Sequence, residues 1–349
     1  MTLEQLGVPS KDYGDRMMTE FGAGQGPDIA ILQEGPFYAL ADAGLLVDIG
    51  AAVEGVALNE TASNGVIDGV TYGAPWQRAA YALIFNKDLL ATSGAKVPAN
   101  VDELIESAKL VQDKTGAIGF TARHQIADLS GFYMDFQSWA YGHGASWVDA
   151  GGKLTVNTPE AIAAVTAFKK LYDAKIIPYG DDFPTQRTRF KEGRVGFSID
   201  NSGGTLNIAS GSTIGGAGIM AAPLPFAHPG AHQQIYLVVN ANSKHKDEAI
   251  GLLKWLMSAD GQVALRKASG PDMLATDVPL TDEFTAANPW APTFADVART
   301  SRSVLIPGYQ VETTQIMRAV MEAVEEVIVS GTDPAEALAK AQTKVDGMF

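Results

Sequence analysis

Strand-like and helix-like apolar patterns alternate along nearly the whole chain, and this alternation narrows the possible folds more than any other feature. Short apolar runs, such as 28–32, 81–85, 196–199 and 235–239, are interleaved with segments whose apolar side chains recur every three or four residues. Such βα units pack as layers, which predicts an α/β architecture. No short-period repeat interrupts the series.

Punctuation residues set the limits of these elements. Gly26 and Pro27 precede the strand at 28–32, and a helix at 38–43 stops at Gly44 before the apolar run 45–49. Asp68-Gly69 between β-formers predicts a hairpin over 66–72, because both turn residues tolerate positive φ. A capping box at Asn100 and Glu103 opens a helix that ends near Gly116, and Thr158-Pro159-Glu160 opens another. Residues 246–257 carry an apolar stripe in which Trp255 reads as a packing residue, and Ser258 caps a short successor. Two helices, 313–330 and 333–349, close the chain. The glycine-rich stretch 203–218 reads as a loop, either wrapped around a ligand or a plain surface excursion. Residues 270–308 read as an irregular stretch that crosses between lobes or lines a cleft.

At about 100–200 residues per domain, 349 residues predict two domains, each with its own core. The 26 basic and 40 acidic side chains give a net charge of -14, with no run of Lys and Arg to track phosphates, so nucleic acid is not an expected partner. No apolar stretch reaches the roughly 18–20 residues that span a bilayer. Cysteine is absent, which excludes disulfides, thiolate nucleophiles and Cys-ligated metals. No phosphate loop, HExxH, EF-hand or GxSxG pattern occurs, and Gly22-Ala23-Gly24-Gln25-Gly26 precedes a strand where a dinucleotide loop would follow one. The five histidines read as solvated loop residues, and Asp181-Asp182 and Glu325-Glu326 as coincidences among many acids. No metal or cofactor is expected.

Aromatic residues set beside hydrogen-bonding ones stand out instead, in the combination that suits polyhydroxylated ligands. Pro75-Trp76-Gln77-Arg78 is the clearest case: an indole can cover the C–H face of a sugar ring while guanidinium and amide reach its hydroxyls. Similar mixtures occur at Arg123-His124-Gln125, between Tyr133 and Trp139, and at Asp200-Asn201-Ser202.

Taken in order, several segments resemble the extracellular solute-binding proteins of ABC importers, in the sugar-binding group that includes maltose-binding protein. The segments are Gly26-Pro27-Asp28-Ile29 with Ala43-Gly44-Leu45-Leu46-Val47-Asp48; Asp68-Gly69-Val70-Thr71-Tyr72-Gly73-Ala74-Pro75 with Phe85-Asn86-Lys87-Asp88-Leu89-Leu90; Phe190-Lys191-Glu192-Gly193-Arg194-Val195-Gly196-Phe197; Asp260-Gly261-Gln262; and Gly331-Thr332-Asp333-Pro334. The resemblance implies the two-lobe periplasmic-binding-protein fold of type II. Lobe 1 would be 1–95 plus 240–295 and lobe 2 would be 96–235 plus 300–349, with hinge crossings near 94–98, 235–240 and 295–300. A carbohydrate would sit in the cleft between the lobes, which close on it by a hinge motion. It also implies a monomer that is exported to the periplasm or cell exterior and presents its ligand to a membrane permease.

Carried onto this chain, the resemblance places Trp76, Arg78, Gln33 and Glu34 at the ligand in the first lobe. Asp200, Asn201 and Ser202 follow the strand at 196–199, without the aromatic that the family often has there. Arg123, Tyr133, Trp139, Gly270, Pro271 and Tyr309 complete the expected set. The family ordinarily carries an export signal, then a first strand and helix, before the region similar to residues 8–21, so the chain is expected to lack that first βα unit. Two other readings are a carbohydrate-acting enzyme such as a glycosidase, using two carboxylates, and the same fold holding a non-sugar solute: a metal, a phosphate ester, or a polyamine on acids such as Glu34, Asp135 and Asp200.

Overall fold

The computed structural model describes residues 2–8 and 10–349. Among the described residues nine strands are formed: β1 (Ile29–Gln33), β2 (Val66–Ile67), β3 (Val70–Thr71), β4 (Ala74–Asn86), β5 (Ile118–Thr121), β6 (Val195–Asn201), β7 (Ile219–Ala222), β8 (Ala231–Val239) and β9 (Arg302–Ser303). The chain divides into two units, the first made of residues up to Ala79 with Gln233–Leu280, the second of Ala80–His232 with Thr281–Phe349. It passes between them after Ala79, His232 and Leu280. Two of these passages fall inside the continuous strands β4 and β8, so a strand and not a loop carries the chain across.

In the first unit β1 runs antiparallel to β8, with Leu32 opposite Tyr236 and Ala30 opposite Val238. Side chains alternate across a strand, so Tyr236 and Val238 join Phe21, Phe37 and Leu40 in one core. Leu237 and Val239 face the other way, against Ile49, Ala52, Leu253 and Met257. The helix Lys246–Met257 supplies Leu253 and Met257. Trp255 lies two residues from each, on the opposite face, and is 51% exposed; the packing role expected for it is not realised. The β2–β3 hairpin turns through Asp68 at φ 51° and Gly69 at φ 81°, as its sequence requires.

In the second unit β4 lies between β6 and β7, antiparallel to both, while β5 pairs with β6 in parallel. The helix Val101–Thr115 packs beside them, its start fixed by Asn100, whose Oδ1 accepts the Glu103 N–H at 2.9 Å, and its end by Gly116 at φ 70°. Thr158 caps Pro159–Asp173 in the same way. Each cap contributes about 1 kcal/mol. The helices Thr313–Ser330 and Pro334–Asp346 form where the apolar periodicity places them.

Two stretches expected to be irregular are ordered. Residues 203–218 contain the helix Ser202–Gly211 and a 3-10 turn at Gly216–Gly218. The helix forms despite its glycines because Asn201 caps it and Gly204 fits where any side chain would collide with Arg187. Residues 270–308 contain the helices Asp282–Ala287 and Ala291–Ala298 around a buried Trp290. No helix among the described residues is long and apolar enough to cross a membrane.

Candidate functional site

In the first unit two of the expected residues, Arg78 and Glu34, are buried near each other. Arg78 sits on β4, exchanging backbone hydrogen bonds with Met273 at 2.7 and 3.1 Å. Its Nε donates to Gln234 Oε1 at 3.1 Å and one terminal nitrogen to the Glu60 carbonyl at 3.3 Å, so its hydrogen-bond partners are neutral. Gln234 is oriented in turn by donating to the Gln77 carbonyl at 3.1 Å. Burial lowers the Arg78 pKa, opposed by the nearby Glu60, Tyr236 and Glu34.

Glu34 opens the helix Glu34–Asp42 and is buried, whereas Gln33 at the end of β1 is exposed. Tyr236 stacks on Phe37 at 4.2 Å between centroids. The neighbouring Tyr38 donates to the Asn64 carbonyl at 3.1 Å, and burial, reinforced by Glu34, pushes its hydroxyl up to about 12. Trp76 is half-buried, one side against the core of this unit.

Gly270 and Pro271 lie in the segment that leads to Met273, the backbone partner of Arg78. Gly270, at φ 59°, ends the helix Ala259–Ser269, and Arg266 donates to the carbonyls of Gly270 and Asp272 at 2.5 and 2.7 Å. That clamp fixes the segment that delivers Met273 to Arg78.

In the second unit, Arg123 lies just beyond the carboxyl end of β5, while Asp200 and Asn201 end the adjacent parallel strand β6 and Ser202 opens the following helix. The carboxyl edge of parallel strands is where α/β folds collect ligands. Arg187 grips Asp200 through two bonds, Nε to Oδ2 at 2.7 Å and Nη2 to Oδ1 at 2.6 Å. Arg123 grips Asp135 in the same bidentate manner, both side chains being buried. Burial opposes the Arg123 charge, but the Asp135 carboxylate outweighs it and raises the pKa, so the guanidinium stays protonated. Burial raises the Asp135 pKa, opposed by Arg123 and Arg187 and reinforced by Asp200. Two guanidinium groups therefore balance two carboxylates in one patch. The Tyr81 hydroxyl joins it, its pKa raised by burial and by Asp135.

Asn201 Oδ1 accepts the Gly204 N–H at 2.7 Å, and Ser202 and Tyr133 are buried. Trp139 is packed in the core: its ring lies 4.8 Å from Phe226 and 5.3 Å from Phe168, with 2% of the residue exposed. Tyr309 donates to the Gly152 carbonyl at 3.2 Å and packs on Phe349.

Two histidines are also corrected from solvated to buried. His232 lies in β8 with Nδ1 at 2.8 Å from Ser301 Oγ. His124 Nδ1 contacts the Ala122 carbonyl at 3.0 Å and Nε2 accepts the Gly180 N–H at 2.7 Å, a pair of bonds that assigns a neutral ring protonated at Nδ1. Burial lowers its pKa against the opposing pull of Ala122 and Asp181. Among the described residues no three of His, Cys, Asp and Glu gather as a metal site.

Sequence reasoning did not find Tyr81, Arg187, Gln234, Tyr236 and Arg266 as parts of these clusters. Their side chains reach partners that no local motif announces.

Residues 2–263 match the family described as bacterial extracellular solute-binding protein. A protein of Brucella abortus (strain 2308), described only as a binding protein, is 24% identical over all of this chain and 86% of its own length. A Deinococcus radiodurans protein named "Probable ABC transporter-binding protein" is 29% identical over 57% of this chain and 50% of its own length. The structure of T. maritima MalE3 with maltose bound superposes with a TM-score of 0.85 at 23% identity, covering 97% of this chain and 89% of that one. At that identity the likeness concerns the fold, the two-lobe α/β architecture of maltose-binding proteins.

Proposed function

The chain belongs to the bacterial extracellular solute-binding protein family, and from that premise we propose that it captures a carbohydrate, whether a sugar, an oligosaccharide or a polyol, and delivers it unaltered to the permease of an ABC importer. It works outside the cytoplasmic membrane, as a monomer, and catalyses no reaction. The T. maritima protein of the same fold holds maltose, and the Deinococcus radiodurans relative is named for an ABC transporter.

The observation that carries the reading is the internal neutralisation of the polar groups at the strand ends. Asp200 and Asp135 are each held by two guanidinium bonds, so the patch offers oriented donors and acceptors without a net charge for a ligand to match. Neutral hydroxyls suit such a surface, since charge-assisted bonds to hydroxyl groups are strong yet need no ionic ligand. In the first unit Arg78 is held by neutral partners, and Trp76 is half-buried.

The same pairing weighs against the alternatives. A polyamine needs acids without a cation of their own, and Asp135 and Asp200 each already have one. A glycosidase needs one protonated carboxylic acid and one free carboxylate. Both oxygens of each aspartate are already engaged by a guanidinium, which leaves neither placed to serve a substrate.

Titration calorimetry of the purified protein against mono-, di- and oligosaccharides and polyols tests this, and at least one member is expected to bind. Heat from a different solute class with none from any sugar or polyol would overturn the carbohydrate assignment. Turnover of chromogenic glycosides, lost on one Asp or Glu change, would overturn the receptor.

A further inference from the structure

The helices Lys246–Met257 and Ala259–Ser269 of the first unit are joined through Ser258 alone, and they carry a surface that the packing of that unit does not use. Trp255 is 51% exposed and Val263 49%. One apolar side chain in water is ordinary on a protein surface. Here two stand on consecutive helices whose junction is fixed. Gln262 donates to the Leu256 carbonyl at 2.9 Å, and the Gly261 backbone lies so close that a Cβ there would come 2.1 Å from the Trp255 carbonyl oxygen.

One turn before Trp255 the helix has an exposed glycine, Gly251, with nothing within 4 Å of the place a Cβ would take. Glycine inside a helix lowers its stability, and no contact within the unit offsets that cost. What it leaves is a notch in the helix surface one turn from an open indole.

The charges around this surface differ from those of the rest of the chain. Residues 244–267 hold five Lys and Arg against three Asp and Glu, in a chain of net charge -14. Lys244, Lys246, Lys254 and Lys267 are exposed, and none of them makes an ion pair among the described residues. In the second unit, by contrast, Lys169, Lys170, Lys340 and Lys344 are each paired with a carboxylate at 2.6–3.0 Å. Tryptophan is among the residues that carry most of the binding energy at protein interfaces, and complementary charges around it steer the encounter. An acidic protein surface with an apolar tip is the counterpart. An anionic lipid surface fits less well, because Glu248 and Asp260 lie in the same two helices, whereas lipid-binding segments carry clusters of about four to eight cations.

We infer that the surface around Trp255 and Val263 docks the receptor on the membrane subunits of its importer, with an acidic, apolar-tipped segment of that partner seated at Trp255 and the Gly251 notch. The inference rests on the importer reading above. The test places photo-activatable benzoylphenylalanine in the full chain at Ala259 or Val263, and separately at Val97, Leu110 or Val329, exposed apolar positions of the second unit. Each protein is irradiated with membranes of the source bacterium, and the adducts are identified by mass spectrometry. The probes at 259 and 263 are expected to label a membrane subunit of an ABC importer. Trp255→Ala, Gly251→Gln, which fills the notch, and Lys254→Glu with Lys267→Glu each lower that labelling about tenfold, while carbohydrate affinity stays within about twofold of the parent. Gly251→Gln also keeps or raises the melting temperature, since glutamine is the better helix former. Labelling indifferent to all three changes, adducts with lipid, or adducts with a second copy of the chain overturn the docking surface. Importer labelling from 97, 110 or 329 with none from 259 and 263 overturns it while the importer reading stands. No importer subunit labelled from any position overturns both.

Discussion

Arg123 and Asp135 face each other across a closed two-bond pair inside the second unit, Nε to Oδ2 at 2.6 Å, with each residue 6% exposed. Desolvating two charges costs several kcal/mol per ion, and the pair holds because the bidentate geometry returns most of that. Breaking one side leaves a buried charge without its partner. Asp135→Ala is expected to lower the unfolding free energy by about 3–5 kcal/mol, read from urea denaturation. The double change Arg123→Met with Asp135→Leu should lose less than Asp135→Ala alone. If the double variant is the less stable one, the pair is a net stabiliser and not a device for arranging the edge.

Trp76 and Trp139 give opposite expectations. Trp139 fills the core between Phe168, Phe226 and Phe120, so Trp139→Ala should cost about 3–5 kcal/mol of stability. Trp76 is half-buried, and its removal should weaken carbohydrate affinity about tenfold or more while costing less stability than Trp139→Ala. Thermal melts and calorimetry on the two variants separate the roles. Unchanged affinity in Trp76→Ala takes this residue out of the site.

Acid should destabilise the second unit through His124. Its folded-state pKa lies below the ordinary value because burial disfavours the imidazolium, and His143 is lowered for the same reason. Below about pH 6.5 the unfolded chain binds more protons than the folded one. The stability is therefore fully present above pH 6.5 and is lost as pH falls toward the folded pKa. Protonating Nε2 also sets an N–H against the Gly180 N–H that it now accepts. Melting temperatures from pH 7.5 to 5.5 should fall more steeply for the parent than for His124→Gln. Parallel falls would show that other groups set the slope.

The fold was legible in the sequence wherever a local signal has a local consequence. Asn100 caps a helix, Asp68-Gly69 turns a hairpin, and Thr158-Pro159 starts a helix, because each acts within four residues of itself. The family resemblance likewise rested on motifs in order, and residues 2–263 match that family. The clusters were legible only in part. Arg78 and Asp200 were named, but Gln234 lies 156 residues from Arg78, and Arg187 reaches Asp200 from a separate helix. Trp139 has the residue type of a sugar platform and differs from Trp76 only in burial, a tertiary property. Trp255 sat in an apolar helix, yet the phase of that helix turns it to solvent.

Gly204 gives the sharpest steric test of the Arg187–Asp200 pair. A Cβ at this position would lie 1.9 Å from Arg187 Nη2 and 2.3 Å from Asp200 Oδ1, so Gly204→Ala cannot be accommodated while both bonds remain. Helix propensity alone would make that change favourable by up to about 1 kcal/mol. The collision reverses the sign, because the pair must open and Asp200, buried at 3% exposure, loses its counter-charge. A loss of about 3 kcal/mol or more is expected. Gly211 at the end of the same helix is the control, since a Cβ there meets only the Lys191 side chain at 3.4 Å. Gly211→Ala should be neutral or slightly stabilising in the same urea titration. If the two variants behave alike, Arg187 is free to move at little cost, and the balanced charge on which the carbohydrate reading rests is not fixed by the fold.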